Sequence, residues 1–90
     1  LELDEETALF LYDDYISNWD IYKPLLKDAI SELNYEQIRS IAHAIKGSSA
    51  SMRIINAYVL AKEIEDNAKV SNKEFGYTEM FNKLIHTIEY

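Results

Sequence analysis

Residues 34–52 read NYEQIRSIAHAIKGSSASM, and this stretch decides the fold class. Asn34 stands three residues before Gln37, which is the spacing of a helix-capping box. Beyond them, apolar and small residues recur every three or four positions, the period of a helix with one buried face. The inward positions of this helix are Ile38, Ile41, Ala42, Ile45, Ser49 and Met52. We therefore predict a long amphipathic helix here.

The same period continues on both sides of this stretch and predicts an all-α protein. The predicted helices cover residues 4–17, 21–33, 34–52, 54–70 and, starting at 73 or 77, the chain up to 89. Asp4 is the expected cap of the first helix, and residues 18–20 are the expected break after it. Short connections favour antiparallel neighbours, so we predict an up-and-down helical bundle, a four-helix bundle core with a short extra N-terminal helix.

Each of the other predicted helices has one apolar face that we assign to the core. Pro24 falls near the start of the second helix, where a proline costs least. The predicted inward residues are Leu9, Tyr12 and Ile16 (widened by Phe10 and Leu11), then Leu25, Leu26, Ala29, Ile30 and Leu33, then Ala57, Leu60, Ala61, Ile64 and Ala68, and finally Met80, Phe81, Leu84, Ile85 and Ile88.

Composition narrows the class of protein. The chain has 90 residues, so we expect residues 1–90 to form one small domain. It has no cysteine, which excludes disulfides and cysteine-based zinc sites and fits a reducing compartment. The formal charge of −7 argues against a nucleic-acid partner. No apolar run is long enough to span a bilayer. Because the chain begins at Leu1, we expect it to be excised from a longer protein.

His43 lies on the polar face of the predicted central helix. At about 100° per residue, it points roughly 140° away from Ile38 and about 160° away from Ile45, so its ring faces solvent. The same face carries Arg39, Ser40, Lys46 and Gly47. This face therefore combines an exposed imidazole with two cations and a stretch of backbone that has no side chain.

This arrangement suits phosphoryl transfer. A neutral imidazole nitrogen is a nucleophile, and phosphoryl transfer needs mainly positioning and charge neutralisation, which Lys46 can supply. A glycine inside a helix costs about 1 kcal/mol relative to alanine, so Gly47 needs a reason, and clearance for another protein's loop is one. We assign supporting roles to Arg39, Ser40 and Ser48, the last as a hydrogen-bond donor near the phosphoryl group.

The run HAIKGSS at residues 43–49 resembles the signature of histidine-containing phosphotransfer (HPt) domains. The lead-in IRSIA at residues 38–42 and the acid-ending segment LAKEIE at residues 60–65 are also similar to that family, so the likeness covers nearly the whole chain. By this resemblance His43 is the phosphorylated nucleophile, Lys46 stabilises the phosphoryl charge, and Gly47 gives clearance for the partner.

The resemblance also implies a place in a phosphorelay of two-component signalling. The partner would be the receiver domain of a response regulator, whose aspartate exchanges the phosphoryl group with His43 and which supplies Mg²⁺. The domain would have no cofactor, no metal site and no kinase activity of its own. It would be a cytoplasmic monomer without membrane insertion, free-standing or part of a hybrid sensor histidine kinase; the Leu1 start favours the latter.

One position departs from the family pattern, and a few alternative interpretations stay open. Many family members have glycine ten residues after the histidine, where this chain has Arg53, so we expect a different turn or an added charge there.

The alternative function is a helical interaction module that binds a receiver domain or partner helix without carrying phosphate. His86 has no motif around it and is assigned to structure or surface. The acids Glu63, Glu65 and Asp66 are assigned to a solvated face.

Overall fold

The computed structural model describes the backbone of residues 5–90 and the side chains of residues 12–90. Its helices are α1 (Glu5–Ser31), α2 (Tyr35–Ser51), α3 (Ile55–Lys69) and α4 (Tyr77–Glu89). No strand occurs within residues 5–90, so the predicted all-α class is confirmed. Each helix packs against the next in the chain, and α1 also packs against α4, which closes a four-helix bundle.

Helix α1 is continuous, and the break predicted at residues 18–20 is wrong. Trp19, in the middle of the supposed break, is buried, and its Nε1 donates a hydrogen bond to Glu89 Oε2 at 3.0 Å. This contact ties the middle of α1 to the last turn of α4. Because α1 is one helix, the separate short N-terminal helix is not confirmed. The predicted cap, Asp4, lies outside the described residues.

The buried face of α1 also differs from the predicted one. Its core residues are Tyr15, Trp19, Leu26, Ala29 and Ile30. The predicted Tyr12, Leu25 and Leu33 are about half exposed. Leu25 is turned about 100° from the buried Leu26, and Leu33 lies beyond the end of α1, in a turn where its φ is 49°. Pro24 lies inside α1 rather than in a first turn, and it is exposed. The side chains of residues 9–11 lie outside the described part.

Helix α2 begins as its sequence predicts. The Asn34 side chain accepts a hydrogen bond from the backbone N–H of Gln37 at 3.2 Å, which satisfies one of the free donors of the first turn. The buried residues of α2 are Ile38, Ala42, Ile45 and Ser49, while Ile41 and Met52 are half-buried against the core. Ser49 is tied to α1 by a 2.8 Å hydrogen bond with the Tyr15 hydroxyl.

The turn after α2 has the left-handed geometry that usually calls for glycine. Arg53 has a φ of 58°, its N–H bonds the Ala50 carbonyl at 3.1 Å, and the Ile54 N–H bonds the Ser49 carbonyl at 2.9 Å. This pair of bonds is a Schellman motif. The arginine therefore takes the left-handed conformation that a glycine would take at this cap, and it does so at a steric cost. Helices α1 and α3 end similarly, with Leu33 and Ser71 at positive φ.

The two remaining helices closely match their predicted bounds and faces. Buried residues are Ala57, Ala61, Ile64, Glu65 and Ala68 in α3, and Tyr77, Phe81, Leu84 and Ile88 in α4. The predicted Leu60, Met80 and Ile85 are half-buried against this core. Short turns make successive helices antiparallel, so the middle of α2 faces the middle of α3. In the part of the chain that the structure describes, no helix is both long and apolar enough to cross a membrane.

Candidate functional site

The imidazole of His43 projects into solvent from the middle of α2. Its side chain is 66% exposed, whereas Ile38 and Ile45 on the opposite side of the helix are almost completely buried. The helical phase read from the sequence therefore places the ring correctly. A rigid helix that is fixed by its buried face presents the ring at a defined position on the bundle surface.

One edge of the ring is held by a buried carboxylate of α3. His43 Nδ1 lies 2.6 Å from Oε2 of Glu65, whose side chain is only 5% exposed. An ionised carboxylate can only accept, so Nδ1 carries the proton of this hydrogen bond. In the neutral ring Nε2 is then the nitrogen without a proton, and it has no hydrogen-bond partner among residues 12–90. The contact with Glu65 thus favours the neutral tautomer whose Nε2 carries a free lone pair.

The other oxygen of the same carboxylate pairs with Lys46. Lys46 Nζ lies 2.6 Å from Glu65 Oε1, and the lysine side chain is 23% exposed. Oε1 forms no hydrogen bond of standard angle, so this contact is mainly electrostatic. Lys46 follows His43 by three residues, so the two reach the same point of α3 from adjacent turns. In this state the lysine charge is directed to Glu65 rather than to open solvent above the ring.

The electrostatics of this cluster favour an ionised Glu65. Burial on its own would raise the pKa of Glu65, but the contacts with Lys46 and then with His43 outweigh it, and the pKa is lowered. Pairing with Glu65 is in turn the main reason that the pKa of Lys46 is raised. Each charge of the pair therefore stabilises the other at neutral pH.

Glu65 is the functional residue that sequence reasoning missed. The prediction of a solvated face is wrong for it, although Glu63 and Asp66 are exposed, the latter paired with Lys62 at 2.9 Å. A signal was available, because Glu65 follows Ala61 by four residues and so lies beside the inward stripe of α3. A buried acid needs partners for its charge, and His43 and Lys46 are those partners.

Gly47 leaves open space next to the histidine. A Cβ built at this position would have nothing within 4 Å, so the fold itself gives no steric reason for glycine. Ser40, one turn before His43, is exposed, and Arg39 is half-buried with no ion pair among residues 12–90. Together these positions form a low, accessible surface around the ring.

Ser48, which was predicted to support the site, does not lie at it, and His86 lies on the surface as its assignment to structure or surface expects. Ser48 Oγ donates to the Ile45 carbonyl at 3.1 Å, and Ser48 lines a cleft facing Tyr15, Trp19 and Tyr22 of α1. Its hydroxyl is therefore not available next to His43, contrary to the supporting role predicted for it. His86 is exposed near the end of α4, where it stacks on Tyr90 with ring centroids 5.1 Å apart.

A comparison with models of protein families shows which family the chain belongs to. The model of the Hpt domain family matches residues 11–88, which is nearly the whole chain. The chain belongs to the Hpt domain family. Hpt domains are helical bundles that act in histidine phosphotransfer in two-component systems and interact with receiver domains. Searches of curated proteins and of solved structures found no match for this Hpt domain.

Proposed function

We propose that this Hpt domain is a phosphorelay intermediate in which His43 accepts a phosphoryl group from the aspartyl phosphate of a receiver domain and passes it on to another. The observation that carries this proposal is the state of the ring. Its Nδ1 is held by the buried Glu65, the rest of the ring is largely exposed, and Gly47 on the next turn leaves open space.

The residues suit the accepting step. The Nε2 lone pair attacks phosphorus, a nitrogen–phosphorus bond forms, and the phosphorus–oxygen bond to the receiver's aspartate breaks. Glu65 orients the ring so that this lone pair points outward. Gly47 lets the receiver's loops approach closely, since a side chain there would stand next to His43 on the same face.

Lys46 is the proposed stabiliser of phosphoryl charge. Its ammonium has three donors and is paired with Glu65 Oε1 by a single contact, so it can turn a second N–H towards a phosphoryl oxygen. Arg39 and Ser40 border the site one turn earlier and are proposed to help with docking or charge. The Mg²⁺ needed for phosphoryl transfer is proposed to sit in the receiver, and this domain to hold no cofactor or metal of its own.

The wider context is proposed from the family alone. The domain acts as a cytoplasmic monomer without kinase activity, and it either stands alone or belongs to a sensor histidine kinase. In this proposal the domain contributes two things to phosphoryl transfer, a nucleophile and a docking surface for the receiver.

The test is transfer from a receiver charged with acetyl phosphate. Intact-mass spectrometry should show the addition of one phosphoryl group to the domain, and the label should be acid-labile and base-stable. His43→Gln should abolish the label, while the control variant His86→Gln should keep it. Labelling that persists in His43→Gln would refute the assigned nucleophile. Receiver binding without any label would favour a pure interaction module.

A further inference from the structure

We infer that a lysine cluster beside His43, formed by Lys46, Lys62 and Lys69, attracts and selects receiver domains that carry an acidic rim around their phosphorylated aspartate. This inference rests on the proposed function and adds the chemistry of the partner that the site recognises. Lys62 and Lys69 act on the association of the two proteins and on the choice of receiver, whereas the reacting atoms belong to His43 and the phosphoryl group.

The lysine cluster spans α2 and α3 at the level of His43. Residues of α3 at successive intervals of three, one and three positions form a single stripe along the helix, and they are Lys62, Glu65, Asp66 and Lys69. Glu65 of this stripe contacts the imidazole, with 2.6 Å between Oε2 and His43 Nδ1. The exposed Lys62 and Lys69 therefore lie one turn of α3 before and after the residue that touches His43.

The three lysines surround one exposed carboxylate. Asp66 Oδ2 lies 2.9 Å from Lys62 Nζ, and both side chains are 51% exposed. The contact with Lys62 is the main reason that the pKa of Asp66 is lowered, and the charges of Lys69 and Lys46 act in the same direction. Because Glu65 is buried, Asp66 alone cannot neutralise three cations, and the surface of the cluster keeps a surplus of positive charge.

This positive surface contrasts with the acidity of the whole chain. The formal charge is −7, and α1 carries the exposed acids Asp13, Asp14 and Asp20. An acidic partner is therefore repelled by the chain as a whole and attracted at the lysine cluster. Charge alone thus favours encounters in which the partner meets the side of the bundle that presents His43.

A receiver is acidic at the place that must meet His43. Mg²⁺ is held by carboxylates and phosphate oxygens, and the group that exchanges phosphate is itself an aspartate, so this part of a receiver is rich in negative charge. An exposed ion pair such as Lys62–Asp66 contributes little stability, so Lys62 can turn from Asp66 to a receiver carboxylate at little cost. Receivers with further carboxylates around this place should gain most from the lysine cluster.

The experiment measures the rate of phosphoryl transfer against salt concentration. The probe is a receiver domain with exposed carboxylates around its phosphorylated aspartate, charged with acetyl phosphate in the presence of Mg²⁺. At low ionic strength the double variant Lys62→Gln/Lys69→Gln should have a second-order rate constant about tenfold below wild type. Asp66→Asn should raise that constant about threefold, because it removes the anion that offsets the lysines.

Two further features separate an effect on association from an effect on the reaction. Both differences should vanish near 1 M salt, where the screening length is about 3 Å. At saturating receiver, the first-order rate of transfer within the complex should equal that of wild type in every variant. A second probe, the same receiver with its rim carboxylates changed to amides, should lose most of the difference between wild type and the double variant.

Lys83→Gln is the matched control, because it removes the same charge at a distant place. Lys83 belongs to α4 and lines a groove with Leu60, which is turned about 140° away from Glu65 around α3. This variant should transfer as wild type does. Equal slowing by Lys83→Gln would overturn the inference, since net charge alone would then explain the effect. Wild-type rates in the double variant, or a loss that high salt does not abolish, would also overturn it.

Folding and the proposed function are checked separately. Thermal unfolding followed by circular dichroism shows whether each variant is folded, and if the double variant is not, each single lysine variant replaces it with an expected loss of about threefold. A wild-type domain that the receiver binds but does not label would refute the proposed function alone. Calorimetric titration of the receiver into the same variants then tests the inference, which equal affinities at low salt would overturn.

Discussion

Replacement of Gly47 by alanine should make the free domain more stable. The position is in the interior of α2, is exposed, and has nothing within 4 Å of a built Cβ. The full difference in helix propensity is therefore gained without a clash, and it amounts to about 1 kcal/mol. For a domain of this size we expect a rise in Tm of roughly 4–8 °C, measured by circular dichroism.

A bulky residue at Gly47 should slow phosphoryl transfer but leave the fold intact. Gly47→Trp has the same free space in the isolated domain, but its side chain would fill the surface that we assign to the receiver. If the clash costs about 1–3 kcal/mol, as overpacking generally does, transfer from a charged receiver should slow by about 5-fold to 150-fold. Glu63→Trp is the control, since that exposed site points roughly 160° away from Glu65 around α3.

Either of two results would refute this account of Gly47. The first is an alanine variant less stable than wild type, which would mean that the glycine serves the fold. The second is a tryptophan variant that unfolds at the normal temperature and transfers at the normal rate, which would mean that no partner approaches there.

Three further predictions concern stability and are measured by urea unfolding. Arg53→Gly should stabilise the domain by about 1 kcal/mol, since glycine accepts the φ of 58° without steric cost; no gain would contradict that source of strain. Asn34→Ala should lose about 1 kcal/mol, because the Gln37 N–H loses its acceptor, and an unchanged midpoint would count against the cap. The pKa of Glu65 is lowered in the fold, so its stabilising contribution is present above about pH 4.3 and is lost as pH falls through the folded pKa. The difference in unfolding free energy between wild type and Glu65→Gln should therefore shrink in acid. A difference that does not change with pH would contradict this prediction.

The parts of the fold that follow local rules could be predicted from the sequence. The cap at Asn34 and the buried faces of α2, α3 and α4 obey spacing rules that need no knowledge of neighbouring helices. The same spacing placed His43 towards solvent, and the motif around it indicated the family. These features were predictable because each depends on residues within a few turns of one helix.

The features that were missed depend on contacts between helices. Asn18 and Asp20 are weak helix formers, but Trp19 between them gains more from burial and from its bond to Glu89 than a break would gain, so α1 continues. Glu65 is similar, because its burial is tolerable only with two partners from α2. Arg53 is a third example. Its left-handed backbone has a steric cost, and the packing of α2 on α3 outweighs that cost.

The central claim is that His43 reacts through Nε2 because Glu65 holds Nδ1. The most direct measurement is nitrogen–phosphorus correlation NMR of the domain labelled with ¹⁵N in the histidine ring and phosphorylated by a charged receiver. The account predicts that phosphorus is coupled to Nε2 of His43 while Nδ1 still carries a proton. Phosphorus coupled to Nδ1, or to a nitrogen of His86, would contradict it.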